Sequence, residues 1–274
     1  MTGPAVLFVP AGNPRAMAKA PTLGADSVIY DLEDAVAPAA RADAREALRA
    51  ALRDNRPNVA AIRVNHPSTS DFTEDLLAAR AARPDAIVVP KVETATDLST
   101  VEEALKQSDA PETIRLWAMI ETPRAVLDVA RIAGAGGRLA ALVVGTNDLA
   151  TATGASRPHM HPWLMGVVLA ARAHGLLAFD GAHNDIRDPD GLAAEAREGA
   201  TMGFDGKTLI HPSQIAPCRD AFRPTPDEVA SARAVVAAFG REPEAGVLTV
   251  EGRMVERLHL AAARRTLAKL GDTP

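Results

Sequence analysis

The stretch "RLWAMIETP" (115–123) decides how the chain is read. Leu116, Trp117, Ala118, Met119 and Ile120 form an unbroken apolar run, the pattern of a strand buried on both faces. The run ends on the carboxylate of Glu121, and Thr122 and Pro123 close it. Removing a charge from water costs several kcal/mol unless the charge is paired or bound to a metal. A carboxylate at the tip of a buried strand therefore asks for a cation, and charged groups at several such tips would mark a site.

Runs of this kind recur. They are "AVLFVP" (5–10), "SVIYDLE" (27–33), "AAIRVN" (60–65), "AIVVPKV" (86–92), "RLWAMIE" (115–121), "LAALVVGTND" (139–148), "LLAFDG" (176–181) and "GKTLIH" (206–211), spaced by roughly 22 to 37 residues. Between them lie Ala-rich segments such as "TEDLLAARAAR" with apolar residues at helical spacing. Eight βα units in 274 residues predict an α/β fold, a (β/α)8 TIM barrel over 1–221. A doubly wound open sheet is the alternative. After the Pro-containing break "FRPTPDE" (222–228), residues 222–274 read as a small, helical C-terminal extension that packs on the barrel or on a neighbouring subunit.

Composition narrows the function. Apolar residues make up 47% and aromatic residues 3%, so the core must be built mainly from Ala, Val, Leu and Ile. The net charge is −5 with no basic tract, which argues against nucleic acid as a partner. Cys218 is the only cysteine, so no intrachain disulfide can form and a reducing cytoplasm is the expected setting. The N-terminal apolar run lacks the preceding basic residue of a signal peptide, and no stretch is long enough to cross a bilayer.

In a barrel of this class the active site is built at the C-terminal ends of the strands. Those ends carry Asn13 and Arg15; Asp31, Glu33 and Asp34; Arg63 and Asn65; Lys91 and Glu93; Glu121; Asn147 and Asp148; Asp180; and Lys207 and His211. Glu121 and Asp148, on adjacent strands, suit a hard cation such as Mg2+, which takes one or two protein carboxylates. Glu121 could instead pair with Arg63 or Lys91, and Asp148 could cap the helix that starts near Leu149. The planar fork of Arg63 suits a carboxylate or an enolate oxygen. "RPHMHP" (157–162) reads as a loop, and "GAGGRL" (134–139) precedes a strand, the wrong context for a dinucleotide fingerprint.

Taken together, "LFVPAGNPRAMAKA" (7–20), "SVIYDLEDAV" (27–36), "IRVN" (62–65), "AIVVPKVE" (86–93), "MIETPRAV" (119–126), "GTNDLA" (145–150), "DGLAAEAREGATMGFDGKTLIHPSQI" (190–215) and "EGRMVE" (251–256) resemble the HpcH/HpaI aldolase and citrate lyase β-subunit family, in its citrate lyase β-like and malyl-CoA lyase-like branch. The resemblance implies a Mg2+-dependent lyase, commonly trimeric or hexameric. Such an enzyme cleaves a malyl-, citramalyl- or citryl-type CoA thioester into a 2-oxo acid and an acyl thioester. By resemblance Glu121 and Asp148 hold the metal and Arg63 contacts the oxo acid. From their places at the strand ends, Asp31, Glu33, Asn65, Lys91 and Asn147 are the candidates around the substrate, and Arg15 or Lys19 at the rim are candidates for the coenzyme A phosphates. Two positions depart from the family. Glu256 stands where an acid–base Asp is common, one methylene longer, and Asn147 stands where many citrate lyase β subunits have Glu. A citrate lyase β subunit with α and carrier partners, a thioesterase, and a non-catalytic CoA-ester-binding barrel are the alternatives.

Overall fold

The computed structural model describes residues 3–270. Strands β1 (Ala5–Pro10), β2 (Ser27–Asp31), β3 (Ala60–Arg63), β4 (Ala86–Val89), β5 (Arg115–Ile120), β6 (Leu139–Val144), β7 (Leu177–Asp180) and β8 (Gly206–Leu209) close into one parallel barrel in chain order. The last strand pairs back onto the first, Leu209 opposite Leu7. Helices α1 (Pro14–Lys19), α2 (Arg41–Asp54), α3 (Phe72–Ala82), α4 (Ala95–Gln107), α5 (Pro123–Ala133), α6 (Thr146–Thr153), α7 (His161–Ala173), α8 (Pro189–Met202) and α9 (Ile215–Phe222) follow or join the strands. The fold is the (β/α)8 barrel.

Side chains of a strand alternate between its two faces, and this parity decides which groups enter the barrel. Val6, Ile29, Ala61, Ala86, Val88, Trp117, Met119, Ala141, Val143 and Phe179 form the barrel interior, with the Trp117 and Phe179 rings 5.2 Å apart. Small residues on β3, β4 and β6 make room for these rings, which is how a chain so poor in aromatics fills its barrel. The turn after β5 is short because α5 starts at once: Thr122 is its N-cap, accepting from the Ala125 N–H at 3.1 Å, and Pro123 occupies the first turn. Glu121 is thus the single residue between strand and cap. Cys218 is free and buried, and burial pushes its thiol up to about 12, so it is chemically quiet.

A second compact unit begins at Phe222. Helix α10 (Pro226–Arg241) opens on a capping box between Thr225 and Glu228. Between its two helices the extension also carries a pair of strands. "GVLTVEGRMVE" folds as a hairpin of β9 (Val247–Val250) and β10 (Arg253–Glu256), turning on Glu251 and Gly252 with φ of 49° and 75°. Paired positive φ values are what a two-residue hairpin turn requires. Helix α11 (Arg257–Ala268) completes the unit, whose own core includes Val235, Phe239, Val255, Leu260 and Leu267. Among the described residues no helix is long and apolar enough to cross a membrane.

Candidate active site

Glu121 follows Trp117 and Met119 on the inward face of β5, one step past the strand, and is 2% exposed. Its Oε1 accepts from the backbone N–H of Lys91 at 2.7 Å. Lys91 presents that N–H from a left-handed conformation, φ 49°, which costs a non-glycine residue roughly 1–2 kcal/mol. Gly145 lies directly against the acid; a Cβ there would collide with Cβ and Oε2 of Glu121. Burial raises the Glu121 pKa to about 7, against the lowering effect of the Lys91 N–H and the Arg63 charge, while Asp148 and Glu33 push it further up.

The cations nearby are engaged with other acids. Arg63, at the end of β3, gives Nε and Nη2 to the two oxygens of Asp31 at 2.7 and 2.6 Å. Its Nη1 lies 3.0 Å from Glu33 and 3.5 Å from Asp34, and its guanidinium stacks over the Phe8 ring at 5.1 Å. Burial alone would lower the Arg63 pKa, but the bonds and charge of Asp31 raise it overall, so the cation is permanent. The Lys91 ammonium pairs with Glu33 and lies 3.7 Å from Asp34. Burial is the largest influence on Glu33 and keeps its pKa raised in spite of Arg63 and Lys91. Glu121 therefore forms no ion pair among the described residues, and the alternative of a simple pair with Arg63 or Lys91 does not hold.

Asp148 is where the expected strand end differs most. β6 stops at Val144, Gly145 is the N-cap of α6, and Asp148 sits in the first turn of that helix. No side chain caps that helix, and Asp148 makes no hydrogen bond or ion pair among the described residues. Its carboxylate is thus uncommitted, near enough to Glu121 to raise that group's pKa. Asp148, Arg63, Asp31 and Asp34 line one cavity of about 170 Å3 with Phe8, Met119, Thr146, Asn147, Ala182, Thr208 and Ile210.

Other expected residues lie elsewhere. Asn65 turns from the barrel mouth: its amide donates to Leu32 O at 3.1 Å and to Asp75 at 2.7 Å, tying β3 to α3. Asn147 lines the cavity, but its side chain is bonded to Asn184. Arg15 and Lys19 are exposed on α1, four residues apart at the rim beyond β1. Glu256 belongs to the second unit, where it is the N-cap of α11 and its N–H donates to the His259 ring at 2.9 Å. Asp180 and Lys207 have the opposite parity to Phe179 and Thr208, so they point out of the barrel. Asp180 lies against Gly199 of α8 and holds Arg157 and Lys207 at 2.6 and 3.0 Å, and Glu195 joins both cations. Two participants had no sequence signal of their own: Gly145, visible only as the break after an apolar run, and Asn184.

The donor set fits a hard divalent cation. Glu121 is a buried carboxylate lacking a counter-charge, with a second, uncommitted carboxylate beside it. Among the described residues no three Asp, Glu, His or Cys side chains gather to hold a metal alone. Two carboxylates with water and substrate oxygens is the mode Mg2+ adopts. Because φ at Gly145 is −100°, an alanine is allowed by the backbone, and only its collision with Glu121 opposes it. Gly145→Ala is expected to cost about 1–3 kcal/mol, seen as a fall in Tm of several degrees; an unchanged Tm would contradict this packing.

Comparison with known proteins gives the family of the chain. The family model described as HpcH/HpaI aldolase/citrate lyase matches residues 4–212. A (3S)-malyl-CoA thioesterase of Cereibacter sphaeroides is 45% identical, over 96% of this chain and 93% of the relative. A citrate lyase subunit beta-like protein of Mycobacterium tuberculosis is 37% identical, over 98% and 96%. The crystal structure of CitE from Mycobacterium tuberculosis in complex with magnesium, acetoacetate and coenzyme A superposes with a TM-score of 0.84 at 36% identity, covering 99% of both chains. The chain belongs to the HpcH/HpaI aldolase/citrate lyase family.

Proposed function

We propose that the protein acts on a malyl- or citramalyl-type CoA thioester with Mg2+ held by Glu121 and Asp148. It breaks the bond between the hydroxyl-bearing carbon and the carbon next to the thioester, releasing a 2-oxo acid and an acyl-CoA. The observation that carries this reading is the buried, unpaired Glu121 carboxylate beside a cavity that also holds Asp148 and Arg63. When bound, Mg2+ supplies positive charge to the hydroxyl and carboxylate oxygens of the substrate.

The chain's own residues account for the rest. Asp31 fixes the Arg63 fork by two hydrogen bonds, and Glu33 holds both Arg63 and Lys91, so their charges are preorganised before substrate arrives. Arg63 then faces the oxygen on which charge develops. A general base takes the hydroxyl proton as the carbon–carbon bond breaks and the enolate carbon of the acyl-CoA is protonated; the family pattern gives this acid–base role to the Glu256 position. Arg15 and Lys19 meet the coenzyme A phosphates at the rim.

A second reading, thioester hydrolysis, is favoured by the identity to the Cereibacter sphaeroides thioesterase. Here water attacks the thioester carbonyl and CoA leaves as the thiol. Malyl-CoA separates the two outputs: cleavage yields glyoxylate and acetyl-CoA with no free thiol, and hydrolysis yields malate and free CoA. Glyoxylate release that falls about a thousandfold in Glu121→Gln is the expected result. Thiol without glyoxylate would select hydrolysis, and neither product would overturn the enzyme reading.

Because Glu121 keeps its proton up to about pH 7, a cation must displace that proton at acid pH. The Tm increase given by Mg2+ is therefore expected to grow from pH 6 to pH 8. A Mg2+ effect independent of pH over this range would contradict Glu121 as a ligand.

A further inference from the structure

The loop between β7 and α8 reaches across to α6 through an amide pair that the proposed reaction does not use. Asn147 Nδ2 donates to Asn184 Oδ1 at 3.0 Å, and Asn184 Nδ2 donates back to Asn147 Oδ1 at 2.7 Å. Asn147 immediately precedes Asp148, and both lie in the first turn of α6. That turn has no side-chain cap, and Asp148 makes no hydrogen bond or ion pair of its own among the described residues. The direction of the Asp148 carboxylate is consequently set by whatever fixes the backbone of this turn.

Two contacts from the loop do so. Thr146 closes on Gly181 so tightly that a Cβ on the glycine would collide with its side chain. The second contact is the amide pair. The loop is itself anchored, since Lys207 donates to Gly181 O, and Gln214 Nε2, 2% exposed as a residue, donates to His183 O at 2.9 Å. A rigid support thus ends at Asn184, and its only side-chain bonds among the described residues go to the neighbour of Asp148.

We propose that Asn184 is a positioning residue for the metal site: by clamping Asn147 it holds the first turn of α6 so that Asp148 meets the cation together with Glu121. Asn147 acts through this clamp. The proposal rests on the assignment of Glu121 and Asp148 as the cation site.

The test uses Mn2+ binding to the full-length protein, followed by electron paramagnetic resonance, with thermal unfolding in EDTA alongside. Partners that orient metal ligands typically govern affinity 10–100-fold, so Asn184→Ala is expected to weaken Mn2+ binding about tenfold. The Tm in EDTA should move little, because both amides are exposed. Asn147→Ala should match it, and the double variant should bind no more weakly than either single one, as for residues acting as one unit. At saturating Mg2+ the KM for malyl-CoA should be unchanged in Asn184→Ala, whose side chain is outside the cavity lining. Wild-type Mn2+ affinity in Asn184→Ala and in a second variant, Asn184→Gln, overturns the clamp. So do additive losses in the double variant, or a KM rise in Asn184→Ala. A wild-type protein that binds no Mn2+ overturns the cation site itself, and the clamp with it.

Discussion

The mouth of this barrel is organised around one constraint, a carboxylate that the fold buries without giving it a counter-charge. Glu121 is carried inward by the parity of β5 and accepts one backbone hydrogen bond, from Lys91. Its surroundings are shaped to keep it there. Lys91 adopts a left-handed backbone to present the N–H, and the chain opposite has no side chain at Gly145. Arg63, the cation best placed to neutralise it, is drawn away by two bonds to Asp31. An isolated buried carboxylate answers by holding its proton, which is the direction found. A divalent cation resolves the same imbalance.

Two charged networks stand on opposite sides of the strands and do different work. Inside, Asp31, Glu33, Arg63 and Lys91 pair with one another and leave Glu121 and Asp148 without an ion pair among the described residues. Outside, Asp180, Lys207, Arg157 and Glu195 form a buried cluster between β7, β8 and α8. Lys207 and Asp180 are fully buried, and breaking such a pair by removing one partner typically costs about 3–5 kcal/mol. That cluster stiffens the base of the loop carrying Ala182 to the cavity and Asn184 to α6.

Much of this is legible in the sequence, for identifiable reasons. Eight continuous apolar runs at regular spacing can close only a few ways, and the barrel is one of them. Glu121 and Arg63 are legible because a charge at the end of a buried run has no packing role. Reading strand ends without parity misplaces Asp180 and Lys207 at the rim; counting from the apolar Phe179 sends Asp180 outward. Asn65 has inward parity, but β3 ends at Arg63, and the buried Asp75 captures the amide once the strand stops. Asp148 resembles a strand end because "GTND" continues a β-rich run, but β6 stops at Val144, and the close approach of Gly145 to Glu121 is a tertiary contact that the run itself does not display. The hairpin in the second unit is hidden by its length, four residues per strand, with polar residues between apolar ones.

The most direct test of the cation site is the anomalous difference map of a crystal grown with Mn2+. One peak is expected, about 2.1 Å from a carboxylate oxygen of Glu121 and from one of Asp148, with its other positions filled by water or substrate oxygens. A site formed elsewhere, or a crystal in which Glu121 stays bound to Lys91 with no ion beside it, would contradict the assignment.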